Sequence, residues 1–196
     1  MTTFGFRIKS GYAIAVVLTG SSQAPAARAR RVVELSDPDR PETRQPYHDG
    51  FGREHADPRE IARRVEIITR CAERSVSAFV RESVPTAGDG VQSGRRIRAG
   101  LVVGSLIDPQ QVANPHIRAH ASEGRLFRTV VEDALRAYDV PCTIFLEKQL
   151  ATTAAAALHR NELAIKRTLA ALGKAVGGPW RADDKAAAIA AWLSLP

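Results

Sequence analysis

His116, His120 and Glu123 are four and three residues apart, so on a helix they share one face. Two imidazoles at i,i+4 can reach one ion, and a carboxylate one turn further on can complete a three-ligand set. A single divalent metal held by His116, His120 and Glu123 is therefore one reading. A second is acid–base or ligand-binding chemistry by His116, His120, Glu123 and the nearby Asp108, because imidazole exchanges protons near neutral pH. A third is a hydrogen-bonded polar patch, with Arg118, Arg125 or Arg128 pairing to carboxylates. The motif is less specific than HExxH, and the three readings stay open.

The helix that carries these residues is legible. Phe127, Val130, Val131, Ala134, Leu135 and Tyr138 recur at three- and four-residue spacing. Asn114 is suited to the N-cap and Pro115 to the first helical position. Carried back to its start, the inward stripe changes from apolar to imidazole and carboxylate. Such groups are costly to bury without partners, so another part of the chain is expected to converge on them.

Upstream, Phe4, Phe6 and Ile8 alternate with Gly5, Arg7 and Lys9, a strand pattern. After a Ser10-Gly11 turn, Tyr12 to Leu18 reads as a buried strand. Arg31 to Leu35 is a candidate third strand, giving an antiparallel meander. Residues 36–56 are polar and Pro- and Gly-containing, and read as a long loop. His48 and His55 in that loop are read as solvated, with a ligand role as the lesser alternative.

Asp57-Pro58-Arg59-Glu60 opens a helix expected to end near Ser83. Residues 86–94 read as a Gly-rich connector. It lacks the Gly-Lys-Ser/Thr of a phosphate-binding loop. Ile97 to Ile107 reads as an interior strand ended by Asp108-Pro109. Val140 to Leu146 reads as a fifth strand, joined through the histidine helix by a parallel crossover. Ligands of such sheets lie beyond the carboxyl ends of the strands, where Asp108, His116, His120 and Glu123 would gather. Leu150 to Val176 reads as one long helical stretch, and Ala182 to Leu195 as a last helix. Trp180 and Trp192 read as core anchors, His159 as surface or packing.

The chain of 196 residues is 44% hydrophobic, which suits a single domain over 1–196. It has no apolar run long enough for a membrane span. Cys71 and Cys142 lack metal-ligand spacing, and Cys142 in an apolar strand is expected to be inert. A reduced cytoplasmic setting is expected. The net charge of +7 favours a polyanionic partner. Arginines cluster at Arg28 to Arg31 and Arg95 to Arg98, without an aromatic stacking platform.

The order of elements resembles the ribonuclease-H-like fold: an α/β domain whose mixed five-stranded sheet has three antiparallel strands, then two parallel ones, flanked by helices. The tail PWRADDKAAAIAAWL resembles the last segment of RuvC-type Holliday-junction resolvases, where a proline-led loop opens an alanine-rich helix bearing catalytic aspartates. The resemblance implies a nuclease with an acid on the first strand, a glutamate on the fourth and acids near the C-terminus. Together these hold two divalent cations across a phosphodiester. This chain departs from that pattern. Its first strand reads FGFRIKSGYA, with Arg7 and Lys9 and no acid. Lys185 stands about where the last aspartate aligns, just after Asp183 and Asp184, and the fourth strand holds no acid before Asp108.

If the resemblance holds, Lys9 and Lys185 approach each other. With Glu34 and Asp184 nearby, they could form a cationic pocket for a phosphate or carboxylate. The reading that follows is a diverged ribonuclease-H-like protein without the usual two-metal site, binding nucleic acid or a phosphorylated ligand through a basic face. The alternative is a hydrolase or nuclease using the rearranged His116, His120, Glu123 and Asp108 set, with one divalent metal. Self-association stays open, and no membrane partner is expected.

Overall fold

The computed structural model describes residues 1–49, 53–84 and 97–196. Strands β1 (Thr2–Lys9), β2 (Tyr12–Gly20) and β3 (Pro25–Glu34) form the antiparallel meander. A two-residue antiparallel pair, β4 (His48–Asp49) and β5 (Arg53–Glu54), stands apart from the main sheet. Helix α1 (Pro58–Ser83) precedes β6 (Ile97–Val103), α2 (Pro115–Arg136) and β7 (Cys142–Leu146). Helices α3 (Leu150–Leu158), α4 (Glu162–Val176) and α5 (Ala182–Leu193) follow. The main sheet has the order β3-β2-β1-β6-β7, with β1, β6 and β7 parallel. This is the expected mixed five-stranded sheet flanked by helices.

Period-two alternation sorts the strand residues to two faces. Phe4, Phe6, Ile8, Leu101 and Val103 pack with residues of α1 and α2 such as Ile68, Phe79, Phe127 and Val131. Ile14, Val16 and Leu18 pack on the opposite face with Leu158, Ile165, Leu169 and Trp192. Helix α5 lies unusually close to the sheet. Gly5 and Gly100 are register partners on β1 and β6. A Cβ on Gly5 would stand 1.8 Å from the Ala187 carbonyl oxygen, and one on Gly100 2.5 Å from that of Ala190. The alanines of α5 serve this approach, since a larger side chain would lift the helix away. Thr3 Oγ1 donates to the Ala191 carbonyl at 2.8 Å.

Three boundaries differ from the sequence reading. Strand β3 begins at Pro25 rather than Arg31. Its early residues alternate small alanines with arginines, a weak hydrophobic signal. Strand β6 stops at Val103, where its pairing to β7 ends at Leu146, and residues 104–107 are exposed. Asp108 therefore lies beyond the strand end, not on it. The 150–176 stretch is two helices. His159 adopts a left-handed conformation (φ 50°) at the end of α3, and Asn161 caps α4 by accepting from Ala164 N at 2.8 Å. An alanine-rich run hides such a break because both halves have high helix propensity. The expected connector at 86–94 lies outside the described residues, as do Arg95 and Arg96. Among the described residues no helix is long and apolar enough to cross a membrane.

Candidate functional site

The start of α2 follows its local code. Asn114 Oδ1 accepts from Ile117 N at 3.1 Å and Pro115 occupies the first helical position. Helix α2 buries Ala119, Glu123, Leu126 and Phe127. Glu123 is only 1% exposed, deep on the inward stripe, whereas His116 and His120 lie at its margin and remain exposed.

The group that meets Glu123 comes from the long loop. His48, 6% exposed, places its Nδ1 2.7 Å from Glu123 Oε1. His120 Nδ1 lies 3.5 Å from the other carboxylate oxygen. The three imidazoles of His48, His116 and His120 pack together, with ring centroids 4.4 to 5.3 Å apart. One ring nitrogen from each lies within 4.8 Å of the other two. These three side chains could hold a metal ion. His48 and the histidine pair of α2 are thus brought together, contrary to the solvated reading of His48. Burial pushes the Glu123 carboxyl above the usual carboxylate range, and His48, His120 and the Tyr47 backbone pull it partly back.

Two arginines tie this loop to the helices. Arg64 of α1, itself buried, donates from Nη1 to the carbonyls of Pro46 and His48 at 3.3 and 3.2 Å. Arg118 of α2 forms a two-pronged pair with Glu54, at 2.9 and 2.6 Å. Bidentate geometry of this kind sets orientation as well as distance. His48 was missed in the sequence because neither periodicity nor spacing connects it to α2. The only local signal was the unusual length of the loop around it.

Asp108 is not part of the histidine cluster. It caps the turn at Pro109–Gln111 by accepting from Gln110 N at 3.1 Å, and it pairs with Arg125 at 3.4 Å. Arg128 pairs with Glu132 at 3.3 Å, so all three arginines named for carboxylate pairing have such partners.

An open cleft of about 240 Å³ lies beside the cluster at the carboxyl ends of β1 and β6, with Arg7, Lys9, Ser10, Gly104 and His120 among its walls. Arg7 is 4% exposed and points to the α5 side of the sheet. It pairs with Glu147, just after β7, and with Asp183 on the first turn of α5, the latter at 3.4 Å. Its Nη1 also donates to the Ile8 carbonyl at 3.0 Å. Lys9 reaches the same Asp183 oxygen at 3.8 Å. Asp184 turns the other way: its carboxylate accepts from Arg30 at 2.6 Å and from the Arg181 backbone at 2.7 Å. Lys185 is exposed and does not line the cleft. Glu34 is exposed at the end of β3, across β2 from Lys9, since both are register partners of Tyr12. Arg7 and Lys9, not Lys185, are the cations that meet Asp183.

The fold is ribonuclease-H-like. It is similar to the Thermus thermophilus RuvC structure, at 13% identity and a TM-score of 0.52, covering 98% of this chain and 92% of that one. RuvC of the same organism in complex with a Holliday junction substrate gives 11% identity, a TM-score of 0.54 and coverage of 98% and 91%. The yeast mitochondrial Holliday junction resolvase Ydc2 gives 8% identity, a TM-score of 0.50 and coverage of 98% and 80%. At these identities the likeness concerns the fold. No protein-family model matches the sequence, and no curated protein matches it.

Proposed function

We propose that this chain is a nucleic-acid-binding protein of ribonuclease-H-like fold that does not cut by the two-metal route. The observation that carries this is Arg7. The resemblance implies an aspartate on the first strand, and this strand instead buries a guanidinium that draws Glu147 and Asp183 onto itself. A pair of divalent cations does not fit that seat. Its acids are already neutralised, and an immovable positive charge would repel the ions. Arginine stays charged at every accessible pH, so deprotonation offers no escape.

Binding is supported by the charge of +7 and by the neighbouring RuvC structure that holds a four-way junction. Exposed cations such as Arg31 on β3, Lys174 on α4 and Lys185 on α5 suit phosphates.

Fluorescence anisotropy with a labelled four-way junction, a duplex and a single strand tests the reading. Affinity is expected to fall at least tenfold between about 50 and 200 mM salt, as phosphate neutralisation requires. The junction should remain uncut in magnesium or manganese. Magnesium-dependent cleavage that disappears in Asp183→Asn would overturn the proposal, as would salt-independent or undetectable binding to all three substrates.

A further inference from the structure

We infer that His48, His116 and His120 form a mononuclear zinc site, with Glu123 behind them as the group that orients the imidazoles. Its ligands are distinct from the Arg7 ion pairs, although His120 and Arg7 line the same cleft, and the inference does not depend on nucleic-acid binding.

The argument begins with the orientation of the rings. Glu123 turns one oxygen to Nδ1 of His48 and the other toward Nδ1 of His120. His48 Nδ1 can donate to Oε1. Oε2 makes no hydrogen bond among the described residues and stands 3.5 Å from His120 Nδ1, a gap that a small ring rotation closes, and Nε2 of each ring then keeps its lone pair. Histidines that hold metals commonly donate their second ring nitrogen to a carboxylate in this way. The sequence motif alone suggested Glu123 as a ligand. The geometry gives it the position behind the ligands, and His48 supplies the third nitrogen.

The second observation is an orphan. His48 is more than nine-tenths buried, yet its Nε2 has no hydrogen-bond partner among the described residues. A buried nitrogen left without a partner is destabilising. The His48 ring lies beside two more imidazoles, at 4.4 and 5.3 Å between centroids. A cation gives all three lone pairs one partner.

The dimensions suit zinc. Three nitrogens on a tetrahedral zinc, with bonds of about 2.0–2.1 Å, stand roughly 3.4 Å apart. The present atoms lie within 4.8 Å of one another. Small rotations of His116 and His120, both exposed, close the difference. His48 supplies the fixed corner, held by Glu123 and by Arg64 on its carbonyl. An all-imidazole set disfavours magnesium and calcium, which take oxygen ligands. Three protein ligands leave a fourth position for water, as catalytic zinc sites do. His120, which also lines the cleft of Lys9 and Ser10, borders that position.

The test uses untagged, full-length protein, stripped by chelator and reloaded with zinc, then with cobalt as a spectroscopic stand-in. One equivalent of zinc per chain is expected by elemental analysis. His116→Ala and His120→Ala should each weaken binding at least 100-fold while leaving the circular dichroism unchanged, because both side chains are exposed. Glu123→Gln should weaken it about 10- to 100-fold. His55→Ala and His159→Ala should bind like the parent. The cobalt protein should show the intense visible bands of a low-coordinate site, and azide should shift them. The inference is overturned if His116→Ala and His120→Ala bind zinc as well as the parent, or if the parent retains none. A cobalt spectrum unmoved by azide would remove the open fourth position.

Discussion

Replacing Arg7 by methionine removes a guanidinium that two acids and two backbone carbonyls surround. The carbonyls are those of Ile8 and Val102, at 3.0 and 3.5 Å. Breaking a fully buried ion pair from one side costs about 3–5 kcal/mol, because the surviving charge is stranded. Here the survivors are only partly stranded: the side chains of Glu147 and Asp183 are 50% and 31% exposed, so water recovers part of the loss. The expected cost of Arg7→Met is therefore about 2–3 kcal/mol, discounted for solvent screening. For a chain of this length that lowers the melting temperature by about 4–12 °C. Glu147→Gln alone should cost less than about 1 kcal/mol, since Asp183 still faces the cation. The triple variant Arg7→Met, Glu147→Gln, Asp183→Asn should recover at least half of the loss, because neither acid is left as a stranded charge and Lys9, which loses Asp183, is open to water. Urea denaturation with an unchanged m-value measures all three. An Arg7→Met protein within about 0.5 kcal/mol of the parent, or a triple variant no better than the single, would refute the reasoning.

Other consequences are as direct. Arg7→Asp adds a third acid beside Glu147 and Asp183, so about 10 mM magnesium should raise its melting temperature and leave the parent unmoved; a variant indifferent to magnesium would count against this placement of the acids. Gly5→Ala should prevent α5 from seating, at a cost above about 3 kcal/mol, because the new methyl meets the Ala187 carbonyl rather than a movable side chain. Wild-type expression and stability would contradict that close approach. Burial pushes the Cys142 thiol up to about 11. About one part in a thousand is then thiolate at pH 8, so alkylation in the native protein should be roughly 100-fold slower than in urea and should keep rising past pH 10. Mass-spectrometric labelling at several pH values checks this. Asn161→Ala should cost about 1 kcal/mol by removing the cap of α4, read by thermal melting.

Local patterns alone determined much of this protein. The Phe4-Phe6-Ile8 alternation, the Asp57-Pro58 and Asn114-Pro115 helix starts and the apolar face of α2 each express an interaction within a few residues. Such interactions survive in a one-dimensional reading, and with the order of elements they suffice for a ribonuclease-H-like sheet. The i,i+4 histidines and Glu123 were legible for the same reason. Their third partner was not. His48 lies 75 residues from Glu123 in sequence, and nothing around it records that distance. Only the folded chain, with Arg64 and Arg118 fastening the loop between α1 and α2, carries it there. Arg7 was visible as a departure from an expected acid. That its charge is met by Glu147 and Asp183 depends on three segments arriving at one sheet edge, which long-range packing decides. The glycine pair under α5 shows the same division: Gly5 and Gly100 look like weak points in two strands until a helix backbone is found resting on them.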